Sequence, residues 1–221
     1  MRIKIRNGIL HFNDLFVPKV VGKNKDKEPS FSATILVDDD TEVIYQLEGE
    51  PQKKKKALKT MPLLCDRVMK DKWTKKPAKL KNWVWNKADG STTRDEYVNK
   101  NGDYHDGIDE DTWFVSAKKK LSKCPEGGLL VIDQGREPIE DHSRIYAGCR
   151  VTAIIDVYGF DSDDGGPCIS ASLEGVQLLK KGERLKLGGG GGASSDDFDE
   201  EEPDEDWSDE DNDDDDESDG L

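Results

Sequence analysis

The last 34 residues limit what this chain can fold into more than any other feature. From Gly188 to Leu221 there is no Lys or Arg, 18 residues are acidic, and the segment opens with five consecutive glycines. A segment with so few apolar residues and so much like charge cannot bury enough surface to offset the entropy of folding. The sequence therefore predicts one folded domain at residues 1–187, followed by a Gly-rich linker and a disordered acidic tail at residues 188–221.

The charge of the chain is strongly divided between its parts. The net charge is -15, yet residues 1–187 hold 33 basic and 30 acidic residues, a net of +3. Within them, residues 53–87 carry 13 basic residues against Asp66 and Asp71. A basic middle with an acidic end indicates a nucleic-acid partner, or a tail that competes with one.

Short segments of period two predict a mainly β fold. They include residues 3–12, 31–37 and 112–117, and a long hairpin with arms at 150–160 and 168–179. Asn7-Gly8 is expected to break the first segment as a turn, and Asp38 to Thr41 to cap a helix that starts at Glu42. Past Glu50 the basic segment is expected to be helical or irregular. Many short strands around one lysine-rich helical insertion favour a small β-barrel or sandwich.

Motifs for catalysis or cofactor binding are missing from the sequence. Its three histidines and four cysteines lack the spacing of a zinc site, and the five-glycine run is not followed by the Lys of a phosphate-binding loop. Two acidic turns, at 103–107 and 161–165, do not fit a calcium loop. We therefore expect no enzyme, no cofactor and no metal. The first six residues alternate apolar and basic instead of forming a signal sequence, so we expect a cytoplasmic protein with free, buried thiols.

Aromatic residues alternate with lysines in and after the basic segment. Single-stranded nucleic acid needs this combination, because bases stack on rings while cations neutralise phosphates. In the strand that begins at Trp113, Phe114 and Lys118 share the face opposite Val115 and Ala117, so both are expected to point outward together. The predicted stacking residues are Trp83, Trp85, Phe114 and Tyr158, and the predicted phosphate contacts are Lys76, Lys79, Lys81, Lys118, Lys119 and Lys120. Alternatively, Trp83, Trp85 and Tyr158 are core residues.

The acidic tail carries isolated apolar residues among its carboxylates. Such a segment can imitate the phosphates and bases of a single strand, and tethering gives it a roughly millimolar local concentration. We expect it to compete for the DNA groove and to bind partners. The residues assigned to this role are Phe198, Trp207, Asp213, Asp214, Asp215, Asp216 and Leu221. Solubility alone is the alternative explanation of the tail.

The order of these features resembles the single-stranded DNA-binding proteins of tailed bacteriophages. The similarity is sharpest in Tyr146 to Val151, in the hairpin segments 154–159 and 169–178, and in the Gly-rich linker before an acidic end. The resemblance implies a five-stranded OB-fold that coats single strands without sequence preference during replication, recombination or repair in the infected bacterial cell. It also implies a tail that recruits replication proteins such as polymerase, helicase or primase, and it leaves a homodimer open. The chain ends in Asp219-Gly220-Leu221 and lacks the terminal Phe of many such tails.

Two other functions are compatible with the sequence. An acidic-tailed chaperone or interaction protein for basic partners would use the tail and keep the folded domain as a scaffold. A metal-dependent nuclease would use the acidic residues between Asp103 and Asp111. Oligonucleotide binding by the folded domain, and cleavage in the presence of magnesium, distinguish these alternatives.

Overall fold

Nine strands and one helix make up the described part of the chain. The structure is a computed structural model, and it describes residues 1–20, 28–80, 83–88, 97–98, 101–126, 128–162 and 166–186. The strands are β1 (Arg2–Lys19), β2 (Ser30–Val37), β3 (Glu42–Tyr45), β4 (Lys53–Lys56), β5 (Trp85–Lys87), β6 (Trp113–Lys120), β7 (Leu130–Ile132), β8 (Arg150–Ser162) and β9 (Gly166–Lys180). The helix α1 spans Ala57–Lys72, and two 3-10 turns span Leu121–Lys123 and His142–Arg144.

Five of these strands close into a ring. β1 is antiparallel to both β2 and β8, β2 to β6, and β8 to β9. The ring closes where β6 and β9 pair in parallel at Lys118 and Ser172. Counted along the chain, the ring strands therefore follow the order 1-2-3-5-4, and β3 and β4 extend the sheet beyond β1. The prediction of a mainly β fold with a helical insertion is confirmed.

The main core lies inside the ring and under α1. Alternate residues of β1, such as Ile3 and Ile5, point into it and are almost fully buried. On α1 the buried residues recur every three or four positions, which places them along one side of the helix that packs against the core: Ala57, Thr60, Met61, Leu64, Cys65, Val68 and Met69. Each large aliphatic side chain buried here contributes roughly 1.5–3 kcal/mol of hydrophobic stabilisation.

The helix expected at Glu42 is instead strand β3. Val43, Ile44 and Tyr45 are residue types that favour strands, and β3 pairs with Ile3 to Arg6 of β1. The supposed helix cap is a tight turn between β2 and β3, in which the Thr41 hydroxyl donates to Asp38 at 2.8 Å. The helix of the insertion begins later, at Ala57, after the lysine strand β4.

Asn7-Gly8 forms a bulge within β1 and does not end the strand. Asn7 has a positive φ of 61°, and the register with β8 shifts between Arg6 and Gly8. A Cβ atom at Gly8 would lie 2.3 Å from Cγ2 of Ile35, so a larger residue would force β1 and β2 apart.

The predicted C-terminal hairpin is present as β8 and β9. Its pairing runs from Arg150↔Lys180 to Ser162↔Gly166, so the strands are longer than the sequence indicated. Within the described ranges, no helix is long and apolar enough to cross a membrane.

Candidate nucleic-acid interface

The outer face of β2 and β6 is the surface on which several predicted site residues meet. In the antiparallel register, Ser32 lies opposite Lys118, Thr34 opposite Ser116, and Leu36 opposite Phe114. The residues between them, including Ala33, Ile35, Val115 and Ala117, belong to the main core. The alternation of β6 therefore turns Phe114 and Lys118 to the same side, away from that core, as the sequence predicted.

A groove of about 260 Å³ follows this face. A chain of hydroxyl groups forms its floor: Oγ1 of Thr34 lies 3.1 Å from Oγ of Ser116, which lies 3.4 Å from the Tyr97 hydroxyl. The lining side chains are Phe12, Asp14, Ser32, Ala33, Thr34, Tyr97, Ser116, Ala117 and Lys118. Tyr97 is only 3% exposed and contributes its hydroxyl, and Asp14 is paired with Lys19 at 2.6 Å, so Phe12 and Lys118 are the lining groups offered to a base and to a phosphate.

Phe12 and Tyr97 are groove residues that the sequence analysis missed. The half-buried Phe12 ring lies 6.0 Å from Tyr97 and edge-on to His105 at 5.3 Å, measured between ring centroids. Strict alternation would place Phe12 on the same face as the buried Leu10, but the pairing of β1 with β2 is irregular between Leu10 and Asn13, so periodicity could not have given its outward direction. Tyr97 lies in an irregular segment, and no periodicity could have placed it here.

The expected exposure of Phe114 is wrong. A second, smaller cluster of buried residues, formed by Leu36, Ala88, Tyr97, Ile108 and Phe114, lies outside the ring. The Tyr97 ring packs 4.4 Å from the Phe114 ring, and only 1% of Phe114 is exposed. A ring covered in this way offers no face to a base.

Trp85 is also a core residue, as the alternative interpretation held. It is 3% exposed, and its ring stacks on Trp113 at 5.0 Å with an angle of 11° between the planes. Its indole N–H finds no acceptor among the described residues. Trp83 is half-buried and packs against the main core, which leaves part of its ring accessible.

The three lysines at the end of β6 differ in their surroundings. Lys118 is exposed beside the groove. Lys119 is only 15% exposed, and its Nζ lies 2.6 Å from Glu174 on β9, whereas Lys120 lies 3.7 Å from Glu28. Burial alone would raise the pKa of Glu174, but hydrogen bonds from Lys119 and Ser172 outweigh it and hold that pKa below its ordinary value.

The remaining predicted residues lie on other elements. Lys76 and Lys79 are exposed in the segment after α1, and Lys76 lies 3.4 Å from Asp66. Tyr158 on β8 is 44% exposed, with its ring 5.8 Å from that of Phe160. Lys81 and the predicted tail residues lie outside the described residues: Phe198, Trp207, Asp213, Asp214, Asp215, Asp216 and Leu221.

The last described residues are held by backbone hydrogen bonds to two other segments. The backbone N–H of Lys186 donates to Asp106 at 3.0 Å, and that of Leu185 donates to the Ala147 carbonyl at 3.0 Å. Asp106 directly follows His105, whose ring contacts Phe12. The acidic residues that follow in the sequence begin at Asp196, outside the described residues. In the described part of the chain, no group of three or more His, Cys, Asp or Glu residues could hold a metal ion.

A ring of five strands with an open groove that carries Phe12, hydroxyl groups and Lys118 is the arrangement expected of a protein that binds an extended ligand. Comparison with known proteins gives the particular family. The chain belongs to the family described as Enterobacter phage Enc34, ssDNA-binding protein, whose model matches residues 1–208. This is a family of binding proteins, so the expectation of a non-enzymatic protein is confirmed.

Individual proteins are also similar to this chain. The chain is 29% identical to protein p50 of Acyrthosiphon pisum secondary endosymbiont phage 1 over 192 residues. The alignment covers 86% of this chain and 89% of that protein. The solved structure of the bacteriophage Enc34 single-stranded DNA-binding protein in complex with ssDNA is similar with a TM-score of 0.56 and 19% identity, over 83% of this chain and 88% of that chain. Bacteriophage T7 gp2.5, a single-stranded DNA-binding protein, has a TM-score of 0.50 and 12% identity, over 89% and 92% of the two chains. These likenesses show a shared fold.

Proposed function

We propose that this protein binds single-stranded DNA without sequence preference along the outer face of β2 and β6. The observation that carries the proposal is the groove in which Phe12 and Tyr97 lie beside Ser116 and Lys118. The Phe12 ring is placed to stack on a base, which is worth ~1–3 kcal/mol, and every base has such a face. Membership of a phage ssDNA-binding family supports the same ligand.

The phosphates are neutralised by exposed lysines in the groove and on other elements. Lys118 lies in the groove, Lys120 ends β6, and Lys76 and Lys79 follow α1. Of the predicted stacking residues, Trp83 and Tyr158 keep accessible ring surface and stay in the proposal, whereas Phe114 and Trp85 leave it. Stacking on a ring and contacts to phosphates are available to every base alike, so this mode of binding is independent of sequence.

The acid-rich segment competes with DNA for this groove and recruits replication proteins when DNA displaces it. Its 18 acidic residues, with no Lys or Arg among them, support such competition. A random coil of 34 residues has a root-mean-square span of roughly 30 Å, which is enough to cover a groove on a domain of this size. On this proposal the protein works in the infected bacterial cell, where it protects single strands during phage replication, recombination or repair.

Fluorescence titration with oligonucleotides tests the proposal. About four lysine–phosphate contacts should give a slope of roughly -3 for log K against log salt, because each single-strand contact contributes ~0.7. Oligonucleotides of equal length and different sequence should bind similarly. A slope near zero, or strong discrimination between such sequences, would contradict binding in this groove.

A further inference from the structure

A second and larger groove lies on another part of the sheet, and none of its lining residues lines the first groove. It has a volume of about 590 Å³ and is formed by β1, β3 and β8. The strand register explains its composition: Lys4 of β1 lies opposite Ile44 of β3 on one side and Ile154 of β8 on the other, and Ile44 lies opposite Lys54 of β4. Directly opposed residues share a face, so these side chains form one row across four strands.

The groove combines an apolar floor with a rim of more basic than acidic residues, in which Glu48 is the acidic lining residue. Ile44, Leu47 and Ile154 are partly exposed in the floor. Arg2 and Lys4 are exposed beside them, and among the described residues no acidic side chain pairs with Lys4. Lys54 extends the rim, although Glu42 lies 2.8 Å from it.

This combination fits an acidic peptide better than a nucleic acid. The floor is aliphatic, and its one aromatic residue, Tyr45, packs partly against the main core. A single strand binds through rings whose faces are free for stacking, which this floor does not offer. A peptide with one large apolar side chain among carboxylates would bury that side chain on the isoleucines and place its charges beside Arg2 and Lys4.

The chain itself contains such a peptide, the acidic segment 204–209 with Trp207 at its centre. We propose that the groove of β1, β3 and β8 docks this segment of a neighbouring copy, with Trp207 as the anchor on Ile44 and Ile154. The inference rests on the proposed function in one respect, because DNA is what brings the copies side by side. Neighbours on one strand are held at a local concentration in the millimolar range, so even a weak contact is populated.

Docking of this kind would link adjacent copies and make coating of a strand cooperative. It would also give the acid-rich segment a place to bind after DNA has displaced it from the groove of β2 and β6. The two grooves share no lining residue, so DNA and the neighbour's segment bind at the same time.

Photo-crosslinking in the full-length chain tests the inference. The variant Trp207→p-benzoyl-phenylalanine is mixed with isotope-labelled protein and irradiated on (dT) of about 40 nucleotides, which exceeds twice the site of one OB fold of up to ~16 nucleotides. We expect crosslinks between two copies, at Ile44, Leu47 or Ile154. Crosslinks only within one copy, only to residues of β2 and β6, or none at all would overturn the proposal.

Charge reversal provides the matched control. Lys4→Glu with Lys54→Glu should lower the crosslinking yield about five-fold or more, because two attractive contacts become repulsive. Lys59→Glu with Lys70→Glu makes the same change of charge on exposed positions of α1, outside the groove, and should leave the yield unchanged. An equal effect of both pairs would show an unspecific charge effect and sink the idea.

Two further measurements keep the result interpretable. Trp207→Ala lies outside the described domain, and it should lower the affinity of the second copy on the long oligonucleotide without changing binding to one that holds a single copy. If Trp207→Ala changes neither of these affinities, Trp207 is not the anchor. Oligonucleotide binding itself is recorded by anisotropy, so a failure of the proposed function is seen separately. In that case crosslinking at high protein concentration without DNA still decides whether the groove docks the segment.

Discussion

Adjacent lysines on β6 should contribute unequally to DNA binding, although the sequence treats them alike. Lys118 is exposed beside the groove, whereas Nζ of Lys119 is 2.6 Å from Glu174 and its side chain is 15% exposed. A phosphate contact on a single strand contributes ~0.7 to the salt slope, so over a ten-fold range of salt it changes the affinity about five-fold. Lys118→Gln should remove that contribution. The double variant Lys119→Gln with Glu174→Gln removes one charge of each sign and should leave the slope unchanged.

Anisotropy of labelled (dT) across 50–500 mM salt, a range of about ten-fold, measures both slopes under the conditions that this counterion argument requires. Thermal melting of each variant confirms that the folded protein is compared. The reasoning fails if the double variant lowers the slope as much as Lys118→Gln does, since the Lys119–Glu174 pair would then be opening to contact DNA. It also fails if Lys118→Gln leaves the slope unchanged.

Three other results are expected. Trp85→Leu should cost about 2 kcal/mol or more of stability by leaving a cavity, whereas Trp83→Leu should weaken oligonucleotide binding by ~1–3 kcal/mol if its ring stacks. Thermal melting measures the stability of both variants, and titration measures their DNA binding. Reversed effects would contradict the assignment of Trp85 to the core and Trp83 to the site. Deleting residues 188–221 should tighten DNA binding, most visibly at low salt where competition is least screened, and equal low-salt affinities of the two forms would exclude the competing tail. Burial raises the pKa of Cys65 to about 12, so this thiol should react with a disulfide reagent at pH 8 only after unfolding. The partly exposed Cys124 should react in the native protein. Fast labelling of the native variant Cys124→Ser would refute the protection of Cys65.

Local periodicity was sufficient where a strand pairs with its neighbour in sequence. The hairpin of β8 and β9 and the strand β2 were found because alternate residues such as Val151, Ala153 and Ile155 face the core. The prediction that the helical insertion starts at Glu42 was wrong for a local reason. Asp38 to Thr41 has the composition of a helix cap, but Asp38 accepts hydrogen bonds from the backbone of Asp40 and the side chain of Thr41, which closes a turn between two strands.

The sequence predicted which face of β6 each site residue lies on, but not whether that residue is exposed. The alternation of β6 gave the side to which Phe114 and Lys118 point. Whether such a side chain is exposed depends on what covers it, and Phe114 is covered by Tyr97 and Ile108, which lie in irregular segments. Periodicity carries no information about such segments, so the sequence could neither remove Phe114 from the site nor add Tyr97.

The acids of the folded domain determine how tightly the proposed groove can hold a strand. Some of the lysines assigned to DNA binding are paired with acidic residues: Lys119 with Glu174, Lys120 with Glu28, and Lys76 with Asp66. Exposed pairs of this kind are weak, at roughly 0–1 kcal/mol, so phosphates can compete for Lys120 and Lys76 at little cost, whereas the better buried pair of Lys119 resists. A groove with few fully free cations binds through modest, salt-sensitive contacts. A tethered segment with 18 carboxylates can compete with DNA that is bound by contacts of this strength. The proposed competition requires DNA binding to be no tighter than that.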